Sequence, residues 1–224
     1  LVFGVMGLIN LAHGSFYMIG AFGAALLAEI TGSFFIGLIS SFIVAMFAGV
    51  LTEILVIRKL YKKDHLDQVL ATFALILIFS EGIRWIFGAF PLYLDVPELL
   101  NGSIEVFSGI YYSKYRLFII FVGLIIATFL FFLIGKTNLG IQIRAGQHDR
   151  EMISALGVDI SKLYTLLFGI GAALAGLAGA LIGTIQSVEV GMGEPILILA
   201  FVIIVIGGIG SIKGAFIASL LVGL

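Results

Sequence analysis

Long apolar runs alternate with short polar segments along the whole chain. Several of the runs approach the roughly 20 residues that an α-helix needs to cross a bilayer. Residues 1–12 read as the end of one helix, and 15–30 as a second, short and rich in glycine and alanine. Residues 34–57, 69–87, 117–134, 163–185 and 195–209 read as the third to the seventh, and an eighth begins near Ala215. The polar segments between them differ in charge. Residues 58–67 carry Arg58, Lys59, Lys62 and Lys63, and residues 135–162 carry Lys136, Arg144, Arg150 and Lys162. Residues 91–115 hold Asp95, Glu98 and Glu105, with Lys114 at the end; residues 186–194 hold Glu189 and Glu194 and no Lys or Arg. The two basic segments are separated by two apolar runs, so they lie on one side. An excess of Lys and Arg marks that side as the cytoplasm.

Composition supports the same reading. Of 224 residues, 61% are hydrophobic and 11% charged, with a mean hydropathy of +1.24; an ordinary soluble domain has roughly 25% charged residues. A soluble fold of this size would lack the polar side chains to cover itself. The net charge of −1 gives no basic surface for nucleic acid, and the absence of cysteine removes disulfides, thiolate metal sites and cysteine nucleophiles. The chain begins at Leu1 and stops within an apolar run, so it reads as cut at both ends. The expectation is an all-α, polytopic transmembrane bundle of about eight spans. It forms one membrane domain over 1–224, with a cytoplasmic loop at about 136–162.

Few polar groups fall inside the apolar runs, where a charge costs about 2.5–3.5 kcal/mol at the helix centre. Glu81 and Arg84 sit three apart on one helix face, either as a gating pair or as an ion pair near the outer end. Asn10, His13 and Ser15 make the most polar patch of the first block. Either Gly14 permits a broken helix whose free backbone groups hold a polar solute, or these side chains only cap helix ends. Gly176, Gly179 and Gly183 belong to a small-residue stripe that suits close helix packing. Gly207, Gly208 and Gly210 add a second glycine cluster, which lacks the Gly-Lys-Ser/Thr ending of a nucleotide loop. His13, His65 and His148 share no metal-ligand spacing, and no catalytic set is evident. In the long basic loop, residues 144–156 can form a short amphipathic helix. Met152, Ile153 and Leu156 lie on one side; Arg144, His148, Asp149, Arg150 and Glu151 give the polar side, and Gly157 stops it. Such a helix either docks on a cytoplasmic partner or lies on the lipid.

The stretch from Gly140 to Val158, with its Gly-x-x-x-Arg-Ala start and its Ala-Leu-Gly-Val end, resembles the cytoplasmic loop of branched-chain amino acid ABC permeases. Glu151 and Gly157 match the glutamate and glycine of the broader importer loop pattern, with Met152 and Ile153 in place of two alanines. Gly7-Leu8-Ile9-Asn10-Leu11-Ala12-His13-Gly14 is similar to the family's N-terminal signature, and Gly207 to Ala215 to its late one, with Lys213 where proline is common. The resemblance implies a multi-pass permease of a prokaryotic cell membrane that imports branched-chain amino acids, other amino acids, urea or short amides. It implies a second permease subunit, two cytoplasmic ATP-binding subunits and an extracytoplasmic solute-binding protein. The chain itself would then hold no ATP or other cofactor and would not be an enzyme. Arg144 to Gly157 become the ATPase-coupling segment, and Asn10, His13 and Ser15 candidates for the translocation path. An ion-coupled secondary transporter is the alternative.

Overall fold

The computed structural model describes residues 6–8, 10–61, 63–107 and 109–223, and among these the side chains of 106, 107, 110, 147, 150 and 151 stand outside the description. Half of the expected helix over 1–12 (residues 1–5 and 9), and Lys62, Ser108 and Leu224, therefore lie outside the described residues. The helices are α1 (His13–Thr31), α2 (Phe34–Leu60), α3 (His65–Phe87), α4 (Lys114–Lys136), α5 (Asn138–His148), α6 (Arg150–Ala155), α7 (Ile160–Gly183), α8 (Gly193–Gly207) and α9 (Ile212–Gly223).

Five of these, α1 to α4 and α7, are long and apolar enough to cross a membrane. They correspond to the second to sixth expected spans. The seventh and eighth are the two arms α8 and α9, which fold back on each other through a bend of 120°. At 15 residues, and a rise of about 1.5 Å per residue, α8 does not reach the roughly 30 Å of hydrocarbon alone. Among the described residues there are thus five candidate spans, with the bent pair adding at most one more.

The bundle is built around α1, α2 and α7, which pack on one another along small residues. A Cβ on Gly20 would stand 2.1 Å from the Gly176 Cα, and one on Gly179 would stand 2.0 Å from the Tyr17 carbonyl oxygen. Gly49 meets Ala172, and Gly176 meets Ala45, at 2.3 Å from such an added carbon. Gly183 closes the stripe against Val188. Lipid is as apolar as leucine, so helices associate here through the dispersion gained by close backbone approach. Gly176 and Gly179 thus lie at close approaches between α7 and its two neighbours, and Gly183 lies against Val188.

The two charge classes of loop separate to opposite ends. Arg58 at the end of α2 donates to Thr165 near the start of α7 at 2.8 Å, which joins the basic ends. At the other end, Leu92 and Val188 exchange backbone hydrogen bonds of 2.9 Å, which joins the two acidic segments. One feature departs from an all-helical reading: strands β1 (Ser103–Phe107) and β2 (Ile110–Ser113) form an antiparallel hairpin in the first acidic segment. Gly109, at φ +87°, makes the turn, and β-branched and aromatic residues supply the strands.

Candidate translocation path and coupling loop

The polar patch at the start of α1 lies inside the bundle. Leu8, Asn10 and Ala12 are all buried, so residues 10–12 form an interior turn rather than a surface one. The Asn10 side-chain oxygen accepts from the Ala12 N–H at 3.1 Å, and the Asn10 carbonyl accepts from the His13 N–H at 3.4 Å. These bonds satisfy only part of the local demand. The Asn10 Nδ2 and the His13 Nδ1 are buried without a partner. The His13 ring stands edge-on to Phe16 and Phe168, at 5.8 and 6.3 Å, the latter a third of the way along α7. The helix α1 thus begins at mid-depth of the bundle.

Ser15 joins a cleft of about 10 Å³, room for roughly one water, that Met18, Ile76, Ser80, Gly193 and Glu194 also line. Gly14 and Gly193 hold one side of it shut. A Cβ on Gly193 would stand 2.0 Å from the Gly14 carbonyl oxygen, so α1 and α8 touch backbone to backbone where both begin. Gly191 donates to the Met18 sulfur at 3.4 Å, which draws the start of α8 into the bundle. The Ser80 hydroxyl is a further buried polar group without a hydrogen-bond partner among the described residues. Sequence reasoning passed over it, because one serine in an apolar helix carries no signal until α3 is placed against α1. The cleft therefore brings Ser15 together with Ser80 and Glu194, whereas Asn10 and His13 do not line it: Asn10 closes the turn before α1, and the His13 ring faces Phe168 of α7.

The long basic loop is two helices, not one. The expected helix over 144–156 is broken at Asp149, whose backbone is extended at φ −149° and ψ 107°. The reason is local: the Asp149 side chain accepts from the Met152 N–H at 2.9 Å and so starts α6 afresh. Arg144 and His148 belong to α5, and Met152 to α6. Of the expected apolar side, Ile153 is buried against the protein, whereas Met152 and Leu156 are 64% and 76% exposed. Gly157, at φ +86°, ends α6, and the Val158 N–H reaches back to the Ile153 carbonyl at 3.3 Å. The side chains of Arg150 and Glu151 lie outside the described residues. On the inner side, α5 buries Ile143 in the core cluster that includes Leu163 and Leu167 of α7.

Beneath this loop sits a network that the sequence did not advertise. Glu53 is fully buried, yet it accepts from Arg58 at 2.9 Å, from the Tyr61 hydroxyl at 3.0 Å and from Thr165 at 2.7 Å. In a regular α-helix, residues five apart point about 140° away from each other. A π-turn over Glu53–Ile57 changes the phase and brings Arg58 under the carboxylate. Burial pushes the Tyr61 hydroxyl well above its ordinary pKa, with the neighbouring Glu53 charge adding to the shift, so Tyr61 stays a donor. This network ties the end of α2 to the start of α7, directly after the loop.

Glu81 and Arg84 form a 2.6 Å ion pair, 59% and 50% exposed, near the end of α3. It stands apart from the cleft lining, in line with the ion-pair alternative. Gly207 packs α8 onto α9, since a Cβ there would stand 2.5 Å from the Ala215 nitrogen. Gly208 and Gly210 differ from the packing expectation. Both have φ +85°, and nothing comes closer than 4.0 Å to a Cβ on Gly208, so they shape the bend instead. Among the described residues, no group of three or more His, Asp or Glu side chains is placed to hold a metal ion.

A polytopic helical bundle whose first long helix begins at mid-depth, with a bent helix pair and an exposed helical loop at its basic end, is the architecture of a multi-pass membrane protein. The family of branched-chain amino acid transport system permease components matches residues 1–224, and the chain belongs to that family. It is 29% identical to the high-affinity branched-chain amino acid transport system permease protein BraD of Pseudomonas aeruginosa, over 100% of this chain and 76% of that one. It is 30% identical to the permease protein LivH of Salmonella typhimurium, over 100% of this chain and 76% of that one. A probable LivH of Methanocaldococcus jannaschii is 28% identical over 96% of this chain and 69% of its own length. No solved structure matches.

Proposed function

We propose that the chain is the membrane-spanning subunit of an ATP-driven importer of branched-chain amino acids. A second permease subunit, two ATP-binding subunits and an extracytoplasmic solute-binding protein would complete the assembly. The observation that carries this reading is the α5–α6 loop. It is anchored inward by Ile143 and Ile153 and leaves Met152 and Leu156 facing out at the basic end. An apolar pair on an exposed helical segment is the docking surface that a helix-in-groove contact needs. The basic end faces the cytoplasm, by the positive-inside rule. The substrate assignment comes from the relatives' names.

In this mechanism, closure of the ATPase dimer pushes on α6, and the Glu53 network passes the motion from the start of α7 to the end of α2. The three central helices meet along glycine and alanine, so they can slide with little side-chain interlock. The path opens where Gly14 and Gly193 now touch. Asn10, His13, Ser15 and Ser80 then offer their polar atoms to the solute in place of water.

Co-purification tests the assignment. The full-length chain, expressed with its neighbouring subunits and carrying Met152→Asp and Leu156→Asp, should insert normally but lose the ATPase that the wild type retains. An ATPase retained equally by both would overturn the docking assignment. If the wild type retains no ATPase under conditions that keep membrane complexes intact, the ATP-driven reading itself fails.

A further inference from the structure

An opening away from the path lies at the basic end, between the end of α4, the helix α5 and the α8–α9 bend. Its volume is about 400 Å³, within the range of sites that hold a sizeable ligand (roughly 300–1,000 Å³). Leu130, Phe131, Ile134 and Ile204 give it an apolar wall, and Arg144 and Lys213 give it two cations. No carboxylate lines it, and among the described residues neither cation has an ion-pair partner. The Lys213 Nζ rests 5.3 Å from the centre of the Phe131 ring. Arg144 donates to the Ile134 carbonyl, which leaves most of its five N–H groups unused. The start of α9 opens on the same space, with Ser211 and Ile212 in its lining, and a helix N-terminus adds partial positive charge.

Two cations from segments far apart in sequence meet at one mouth, beside α4, the helix that turns most of its length outward. Water alone would satisfy a polar pocket of this kind, but the remaining wall is hydrocarbon. A ligand that fits both parts is an anion joined to an alkyl chain. We infer that this cavity holds one anionic phospholipid. Its phosphate sits between Arg144 and Lys213, and an acyl chain follows Leu130, Ile134 and Ile204 down the groove between α4 and α8. Basic pockets between membrane helices recognise anionic headgroups in this way. A lipid so placed would brace α5 against the bend, and the assignment is independent of which solute the permease carries.

The test uses the full-length protein in detergent, titrated with phosphatidylglycerol or with phosphatidylcholine of the same acyl chains. Native mass spectrometry counts bound lipids, and a thermal melt reads stability. The expected result is one phosphatidylglycerol retained above the phosphatidylcholine background, with a raised melting midpoint. Lys213→Gln should weaken that binding about fivefold, as the loss of roughly 1 kcal/mol per basic residue implies, and Lys213→Arg should restore it. Lys213 is exposed, so these variants keep the fold. Equal retention of the two lipids, or an unchanged affinity in Lys213→Gln, overturns the assignment. Stabilisation by inorganic phosphate without lipid, lost in the same variant, overturns it in favour of a free anion. A crosslink from Lys213→Cys to a second permease subunit, formed in lipid-free protein, overturns it in favour of a subunit contact.

Discussion

Helices α7 and α4 are nearly equal in length, at 24 and 23 residues, and both are apolar enough to span a bilayer, yet they live in opposite environments. Most of α7 is buried between α1 and α2, whereas α4, the most apolar of the five spans, turns Ile120, Phe121, Leu124, Phe129 and Phe132 outward. In a soluble protein the more apolar helix would be the inner one. Here the solvent is itself hydrocarbon, so large apolar side chains gain nothing by going inside. What goes inside is what lets backbones touch, Gly169, Gly176 and Gly179, and what needs a protein partner, Glu53, Asn10 and Thr72.

The sharpest way to break this contrast is through charge. Arg58→Ala strips the partner from the fully buried Glu53 carboxylate and should cost about 3–5 kcal/mol, seen as a large fall in the melting midpoint. Glu81→Ala removes an exposed partner and should cost about 0–1 kcal/mol. Equal losses would mean that both carboxylates sit in one environment. Packing gives the next comparison. Gly176→Leu drives a side chain into Ala45 and the Ser41 carbonyl, and overpacking of this kind costs about 1–3 kcal/mol or more. Gly123→Leu on α4 has open space around it and should change stability by less than about 0.5 kcal/mol. Melts of the two variants in the same detergent decide it.

Two smaller effects sharpen the picture at the basic end. Gly157→Val forces a β-branched residue to φ +86°, a local strain of about 1–2 kcal/mol. Uptake should fall while the amount of protein in the membrane holds, as assays of both would show. Tyr61→Phe removes one bond to Glu53 and should cost about 1 kcal/mol. Because the Tyr61 pKa is raised in the folded state, its stabilisation is fully present below the unfolded value near 10 and is lost as pH rises beyond it. The gap between wild type and variant should therefore stay constant up to about pH 10 and narrow above it.

The spans were legible because each is a continuous apolar stretch, and the segregation of loop charge gave their alternation. The interior turn at Asn10 was legible as a polar patch, though its depth was not, since depth is set by where α1 meets α7. The break at Asp149 hid behind an amphipathic period that runs through it. Glu53 carries no local signal of its role, because an i,i+5 pair meets only across a π-turn. Ser80 and the cavity beside Lys213 depend on residues brought from distant segments, which no local pattern encodes.

The central claim is ATP-driven transport through this subunit, and uptake by the reconstituted assembly tests it most directly. Vesicles that hold the permease with its partner subunits should accumulate labelled leucine when ATP is supplied on the basic side, with no ion gradient across the membrane. Uptake that ignores ATP and collapses with a proton or sodium ionophore would contradict the account and identify an ion-coupled carrier.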